Sequence, residues 1–360
     1  MTFTDQFPLL EKYTYLDTAS SGILSKKQVT WRAVHDQTFF EQGSLFRLTQ
    51  AAFLHDVKVT VARFFNSKVE NTFLLPNFSF GFNTLLEGLP AGQRFLLLQE
   101  DYPSVNYAIE TRGHSCEYVS IGDQLEERIV DHIKTHKPTV FAFSLVQYIN
   151  GIKLSLDFVK ELKSLFPDLI IIADGTQFCG TAAVDFETSG FDVLMASGYK
   201  WMLAGYGNGF MMLKDGIASS LFLSARNRPA PKEPFMQTKS LLSVFFEPGH
   251  MDTLNFGTLK QSILYFEELG MDFIEERTTT LSEKARLAFA EKGLISDFVA
   301  NRKEHSTIFN LAISTEKYQE LIAADIICYP RGNGIRLAFH FFNSEDDLEK
   351  LLYILSNQKT

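Results

Sequence analysis

The sequence predicts an α/β protein: a large domain built on a mainly parallel, helix-flanked sheet, with a smaller α+β domain at the C-terminal end. Three observations carry that expectation. From about residue 70 to 215, short apolar and often β-branched runs alternate with amphipathic segments, the rhythm of strands joined by crossover helices. The runs "NTFLL", "RFLLLQ", "TVFAFSL", "LIIIA", "DVLMA" and "GFMML" are continuous in apolar character, as strands buried on both faces are. After about residue 256 the pattern changes to long helical stretches, then short strands and a closing helix.

The helical segments follow the same logic. "SFGFNTLLEGL" has helical spacing, and in "LDFVKELKSLF" Leu156, Val159, Leu162 and Leu165 line one side with charges opposite. "TLKQSILYFEELGMDFIEER" and "TLSEKARLAFAEKG" read as the long helices of the second domain. The last helix has a defined start, because Ser344 followed by Asp347 before "LEKLLYIL" has capping-box spacing. Gly205, Gly207 and Gly209 in "GYGNG" precede a strand instead of linking strand to helix, so they shape a loop and are not a dinucleotide fingerprint.

Composition narrows the partner. With 360 residues and 45% hydrophobic content the chain can bury a large core and a smaller one. Its 34 Lys+Arg against 43 Asp+Glu give a net charge of -9, with no basic run, which disfavours nucleic acid and points to a small-molecule partner. No stretch approaches the roughly 20 apolar residues that cross a bilayer, and the start lacks a secretory pattern, so no membrane partner and a cytoplasmic location are expected. Cys116, Cys179 and Cys328 are too scattered for a disulfide framework or structural zinc, and no metal is expected. The 34 phenylalanines fall mostly in apolar runs and read as core.

In open α/β sheets, ligands bind beyond the carboxyl ends of strands. The residues that follow each apolar run are therefore the candidates: Asn77, Phe78 and Ser79; Glu100, Asp101 and Tyr102; Asp174, Thr176 and Gln177; Ser197, Tyr199 and Lys200. Taken singly, each has an ordinary structural account. Asp174 and Lys200 fit an ion pair, Tyr102 a loop aromatic, Ser79 a helix cap, Gln177 a surface amide, and Arg336 a partner for the acids of "SEDDLEK". Taken together they fit a pyridine-ring cofactor. A lysine that forms an imine needs a desolvated, partly cationic setting. A carboxylate keeps the ring nitrogen protonated, and a helix N-terminus with hydroxyl donors, such as "NFS" provides, suits a phosphate.

At these residues the chain resembles the class V aminotransferase group of fold-type I pyridoxal-phosphate enzymes, which includes cysteine desulfurases, selenocysteine lyases, kynureninases and isopenicillin N epimerase-like proteins. The resemblance spans nearly the whole chain. It runs through "YLDTASSG", "NFSFGFNTLLEGL", "EDYPSVNY" and "LVQYINGIKLSL", is strongest in "IIADGTQFCGTAAVDFETSGFDVLMASGYKWMLAGYGNGFMML", and ends in "GNGIRLAFHFFNSEDDLEKLL". It implies that pyridoxal 5'-phosphate is the cofactor, Lys200 the Schiff-base lysine and proton shuttle, and Asp174 the partner of the ring nitrogen. It implies that Gln177 lies near the ring hydroxyl, that Ser79, Ser197, Tyr199 and the backbone at Asn77 and Phe78 hold the phosphate, and that Tyr102 stacks on the ring. Arg336 is then the clamp for the substrate α-carboxylate. It further implies a segment 1–22 packed near the active site, a cofactor-binding domain 23–255, a small domain 256–360, and a homodimer with its active site at the interface.

Departures from the family pattern bear on the reaction. No cysteine stands on a loop well upstream of Arg336, where a desulfurase needs its nucleophile. Tyr199 replaces the histidine many relatives have before the lysine, and "VQY" adds a second kynureninase-like feature, although the chain is shorter than a kynureninase. His250 follows Gly249 where relatives place a threonine that reaches the neighbouring phosphate, so it is either that contact or an ordinary junction residue. Transamination of an amino acid is the first expectation. Elimination of the lyase type and epimerisation start from the same chemistry, and a non-catalytic binding protein is the remaining alternative. Arg47, Arg226 and Arg228 are candidates to meet an acidic substrate side chain, with a solvated arginine as the other account of each.

Overall fold

The computed structural model describes residues 3–229 and 231–356, with Phe235 described by its backbone alone. Residues 1, 2 and 357–360, at the outer ends of the expected first and last segments, lie outside the described residues. The strands are β1 (Thr14–Tyr15), β2 (Thr72–Leu75), β3 (Arg94–Leu98), β4 (Ser115–Val119), β5 (Val140–Ser144), β6 (Ile170–Asp174), β7 (Val193–Ser197), β8 (Gly209–Leu213), β9 (Ile308–Leu311), β10 (Ile326–Ile327), β11 (Tyr329–Arg331) and β12 (Gly334–Ala338). Strands β2 to β8 form one sheet in the order β2-β8-β7-β6-β5-β3-β4, and β8 alone runs against the others. All six expected strands of this sheet are present. The seventh, β4, carries "SCEYV" on a sheet edge and is largely exposed, so its sequence lacks the apolar run that marks the others.

Alternation along these strands divides the core in two. Leu96, Phe141, Phe143, Ile171 and Leu194 face a cluster with Val57, Val61, Ile129, Val159 and Leu162; Phe95, Leu97, Ala142, Ile172 and Met195 face another with Phe82, Leu85, Val105 and Ile109. The first group comes from helices α2 (Arg47–Phe64), α5 (Leu125–His136) and α6 (Leu156–Leu165), the second from α3 (Phe78–Gly88) and α4 (Pro103–Glu110). Helix Thr253–Leu269 packs along α2 and along α1 (Lys26–Gln42). Gly270, at φ 86°, ends it and starts helix Met271–Glu291, so the stretch expected as one helix over 258–277 is broken in the middle.

The smaller sheet is antiparallel, in the order β11-β12-β9, and packs against helices Met271–Glu291, Thr315–Ala323 and Glu345–Ser356 through Leu281, Phe289, Leu321, Leu337 and Leu351. The capping box at Ser344 is formed: the Ser344 N–H donates to Asp347 and the Asp347 N–H to Ser344 Oγ. The N-terminal segment crosses to this sheet. β1 pairs with β10, Asp17 bridges Ala338, and Leu16 is buried in the small core.

Between the two sheets the chain is held at close range. The Gly22 N–H donates to the Tyr199 carbonyl at 2.7 Å, and a Cβ at Gly22 would collide with the Lys200 carbonyl oxygen. His340, fully buried, accepts from the Phe341 N–H at Nδ1 and bonds the Trp201 carbonyl through Nε2 at 2.9 Å, which makes it the neutral Nε2–H tautomer. Burial lowers its pKa from 6.5 to about 3.

Two outcomes follow from these contacts. Gly22→Ala is expected to lose about 1–3 kcal/mol through overpacking against backbone, read as a lower Tm. Because the folded-state pKa of His340 lies below the unfolded one, stability is full above about 6.5 and falls as pH drops. The loss from this residue reaches about 2 kcal/mol near pH 5, and His340→Gln is expected to flatten that acid limb in melts recorded against pH.

Candidate active site

The C-terminal ends of β2, β3, β5, β6 and β7 open on one cavity of about 540 Å³. Nine of the expected site residues line it: Asn77, Phe78, Ser79, Tyr102, Asp174, Gln177, Ser197, Tyr199 and Lys200. On one side is the start of α3, where Asn77 caps the helix by accepting from the Phe80 N–H at 2.9 Å. The Phe78 N–H donates to Ser197 Oγ at 2.9 Å and Ser79 Oγ donates to Ser104 Oγ. A helix N-terminus and two hydroxyls are thus gathered at one end of the cavity.

Asp174 ends β6. Its Oδ1 accepts from the Thr176 N–H at 2.8 Å, and Thr176 Oγ1 accepts from the Ser197 N–H at 3.1 Å, tying β6 to β7 at the rim. Asp101 ties β3 to β5 in the same way: its two oxygens accept from the N–H groups of Tyr102 and Ser144 at 2.6 and 2.7 Å. That bond fixes the backbone of Tyr102, whose ring meets Tyr148 edge-on at 5.2 Å. Glu100, at φ 62°, and Leu203, at φ 52°, are left-handed non-glycine residues beside the site, each a local cost of about 1 kcal/mol or more.

Lys200 is 7% exposed, with Nζ 5.6 Å from the Tyr102 ring centroid and 5.5 Å from that of Tyr199. Tyr199 stacks on Tyr206 at 4.9 Å. Burial lowers the pKa of Lys200; Asp174 opposes the shift, while the Arg336 and Arg331 cations add to it. Burial likewise raises the pKa of Asp174, against the bond from Thr176 and the Lys200 charge. Gln177 spends its amide on structure, donating to the Ala19 carbonyl at 3.0 Å and accepting from Trp201 Nε1 at 2.7 Å.

Two expected residues stand apart from the cavity wall. Arg336, 1% exposed, lies behind it: Nη1 donates to the Tyr148 carbonyl at 2.8 Å, Nη2 to Ser20 Oγ at 2.5 Å, and Asp17 is 4.0 Å away. Its Nε has no hydrogen-bond partner among the described residues. His250 lines a separate concavity with Phe39, Phe46 and Arg47. Arg226 donates to the Ala218 and Leu221 carbonyls, and Arg228 is exposed. None of Arg47, Arg226 and Arg228 lines the cavity.

The strand-end residue Thr176 lines the cavity as expected, whereas Tyr148, Tyr206 and Arg331 were not among the expected site residues. Tyr148 and Tyr206 sit within or beside the motifs, and their side-chain directions depend on loop paths that periodicity does not describe. Arg331 had a signal, namely the strand spacing across the "RGNGIR" turn that relates it to Arg336.

The residues present fit pyridoxal phosphate. A buried amine, a buried carboxylate, an aromatic ring and a helix N-terminus with hydroxyl donors all border one cavity, which is the donor set that its aldehyde, ring nitrogen, ring face and phosphate require.

Comparison with known proteins agrees. Over 356 residues, 95% of this chain and 93% of the other, the sequence is 21% identical to an uncharacterized aminotransferase, YcbU, of Bacillus subtilis (strain 168). The apo cysteine desulfurase of Thermococcus onnurineus NA1 superposes with a TM-score of 0.80 at 16% identity, covering 98% of this chain and 96% of that one. A complex of the cystine C-S lyase C-DES with its product cysteine persulfide gives 0.83 at 16% identity, over 97% and 99% of the two chains. At such identities the two structures establish a shared fold. The sequence pattern described as aminotransferase class-V matches residues 45–351. With most of its length so matched, the chain belongs to the aminotransferase class-V family and is a pyridoxal-phosphate-dependent enzyme.

Proposed function

We propose that the protein is an aminotransferase acting on an α-amino acid, with Lys200 as the residue that binds the cofactor covalently. One observation carries this reading: Lys200 and Asp174, both buried, share a cavity with the N-terminus of α3. When bound, pyridoxal phosphate supplies an electron-withdrawing ring that stabilises charge at the substrate α-carbon. Asp174 holds a proton on the ring nitrogen. The Phe78 and Ser79 end of α3, with Ser197 and Tyr199, holds the phosphate; Ser197 Oγ accepts from Phe78 and so keeps its own proton to donate. Tyr102 covers the ring, and Gln177 stands near its hydroxyl. Lys200 Nζ, its basicity tuned by burial, takes the proton from the α-carbon and returns it. Arg336, whose Nε is unpaired, holds the α-carboxylate.

The cysteines argue against a thiol nucleophile. Cys179 and Cys328 are buried, and burial raises both, Cys328 to about 12, while Cys116 lies on β4 at the far edge of the sheet. Elimination is the second reading, favoured by the four phenols of Tyr102, Tyr148, Tyr199 and Tyr206 around the cavity. Burial raises the pKa of Tyr199 to about 12, so it stays protonated and able to donate to a leaving group.

The same reading includes a homodimer and a cytoplasmic location. Exposed Phe40 (83%) and Leu48 (79%), with Phe39 and Leu45, form an apolar face on α1, α2 and the turn between them that suits a second copy. His250 borders the concavity on that face, so a contact between it and a phosphate requires the second copy.

The protein mixed with pyridoxal phosphate is expected to show the long-wavelength absorption of lysine-bound cofactor, and Lys200→Ala to lack it. Since only a neutral amine attacks the aldehyde, the capture rate should rise with pH and level off below the ordinary lysine range. A midpoint at or above that range would contradict the buried amine. Incubation with a panel of amino acids separates the reactions: pyridoxamine phosphate with a keto acid is the expected product, whereas ammonia or sulfide in its place would assign a lyase.

A further inference from the structure

Arg331 is a charge beside the cavity for which neither the family resemblance nor the fold provides a task. In the β11–β12 hairpin, Arg331 lies opposite Gly334 and Tyr329 opposite Arg336. Side chains two apart on a strand share a face, as do those of directly paired residues, so Arg331 and Arg336 project from one face of the small sheet as diagonal neighbours. Both converge on Tyr148, a residue of the cavity wall. Arg336 donates to its carbonyl, and the Arg331 guanidinium carbon lies 5.9 Å from its ring centroid. The two arginines differ in burial and company. Arg336 is buried, with Asp17 at 4.0 Å, whereas Arg331 is exposed and makes no ion pair among the described residues. The position opposite Arg331 is glycine, which leaves its side chain uncovered from that strand.

Resting on the proposed amino-acid reaction, in which Arg336 takes the α-carboxylate, we propose that Arg331 binds a second carboxylate, on the substrate side chain. The preferred substrate is then an acidic α-amino acid. Diagonal neighbours on a hairpin stand about 7–8 Å apart, a spacing that the two carboxylates of one short molecule can bridge. A guanidinium within cation–π range of a phenol ring is partly pre-positioned, so it gives up less freedom when the anion arrives. Arg331 therefore acts as a specificity residue, and the proton is carried by Lys200.

The test is steady-state kinetics of the holoenzyme with aspartate and glutamate against their neutral isosteres, asparagine and glutamine, for wild type, R331Q and R331K. Wild type is expected to favour the acids by about tenfold or more in kcat/KM, equivalent to about 1.4 kcal/mol. R331Q is expected to collapse that ratio towards one, mainly by raising KM for the acids, and R331K to recover part of it. Amides used as well as acids by wild type, or R331Q slowing both alike, would overturn the proposal. If the holoenzyme acts on neither pair, the proposal falls while the cofactor assignment stands on the Lys200-dependent absorption. A chain that takes up no cofactor overturns both.

Discussion

The clamp on residues 199–203 is the constraint on which the rest of the molecule depends. In the proposed reaction Lys200 has to be buried, neutral when needed and correctly aimed, which a loose loop would not allow, since disorder of even an ångström lowers an effective concentration at the reacting atom. Here five consecutive residues are held from five directions. Gly22 bonds the Tyr199 carbonyl and lies on the Lys200 carbonyl; Gln177 takes the Trp201 indole N–H; His340 reaches the Trp201 carbonyl. Ser262 holds the Met202 carbonyl, and Gln28 the carbonyl of Leu203. The left-handed backbone of Leu203 persists because these bonds over-determine it.

Electrostatics follow from that rigidity. The buried carboxylates Asp101 and Asp174 are not left bare: Asp101 accepts from Tyr102 and from Ser144 on neighbouring β5, and Asp174 accepts from Thr176, whose hydroxyl takes the Ser197 N–H of β7, so that the rim of the sheet is locked. Burial is the main cause of the lowered basicity of Lys200; the Asp174 carboxylate opposes it, and the Arg336 and Arg331 cations add to it. The same burial that positions the amine also lowers its basicity, and the register of one hairpin brings Arg336 and Arg331 to the same face of the small sheet.

Much of this was legible in sequence. Six strands of the main sheet announced themselves as unbroken apolar runs, and nine expected site residues meet in one cavity because strand ends converge wherever a parallel sheet forms. What escaped is equally specific. β4 is an edge strand whose exposed face removes the apolar signal, and Gly270 breaks a helix that periodicity carries straight through. Arg336 is conspicuous as a residue, yet its place behind Tyr148 depends on the N-terminal segment folding over it. Gln177 looked like a cofactor ligand, and its bonds to Ala19 and Trp201 show it also bracing the lysine loop, a use no local pattern encodes.

The bond between Arg336 and Ser20 spans 316 positions, and Gly22 and His340 bracket the lysine from opposite ends of the chain. During synthesis the central sheet emerges with its lysine well before the last strand does. A nascent chain therefore has the strands and both carboxylates but lacks His340 and Arg336 at the site. The order of the lysine loop is thereby coupled to the folding of the small sheet, whose Arg336 and the following His340 join the contacts after the central strands are in place.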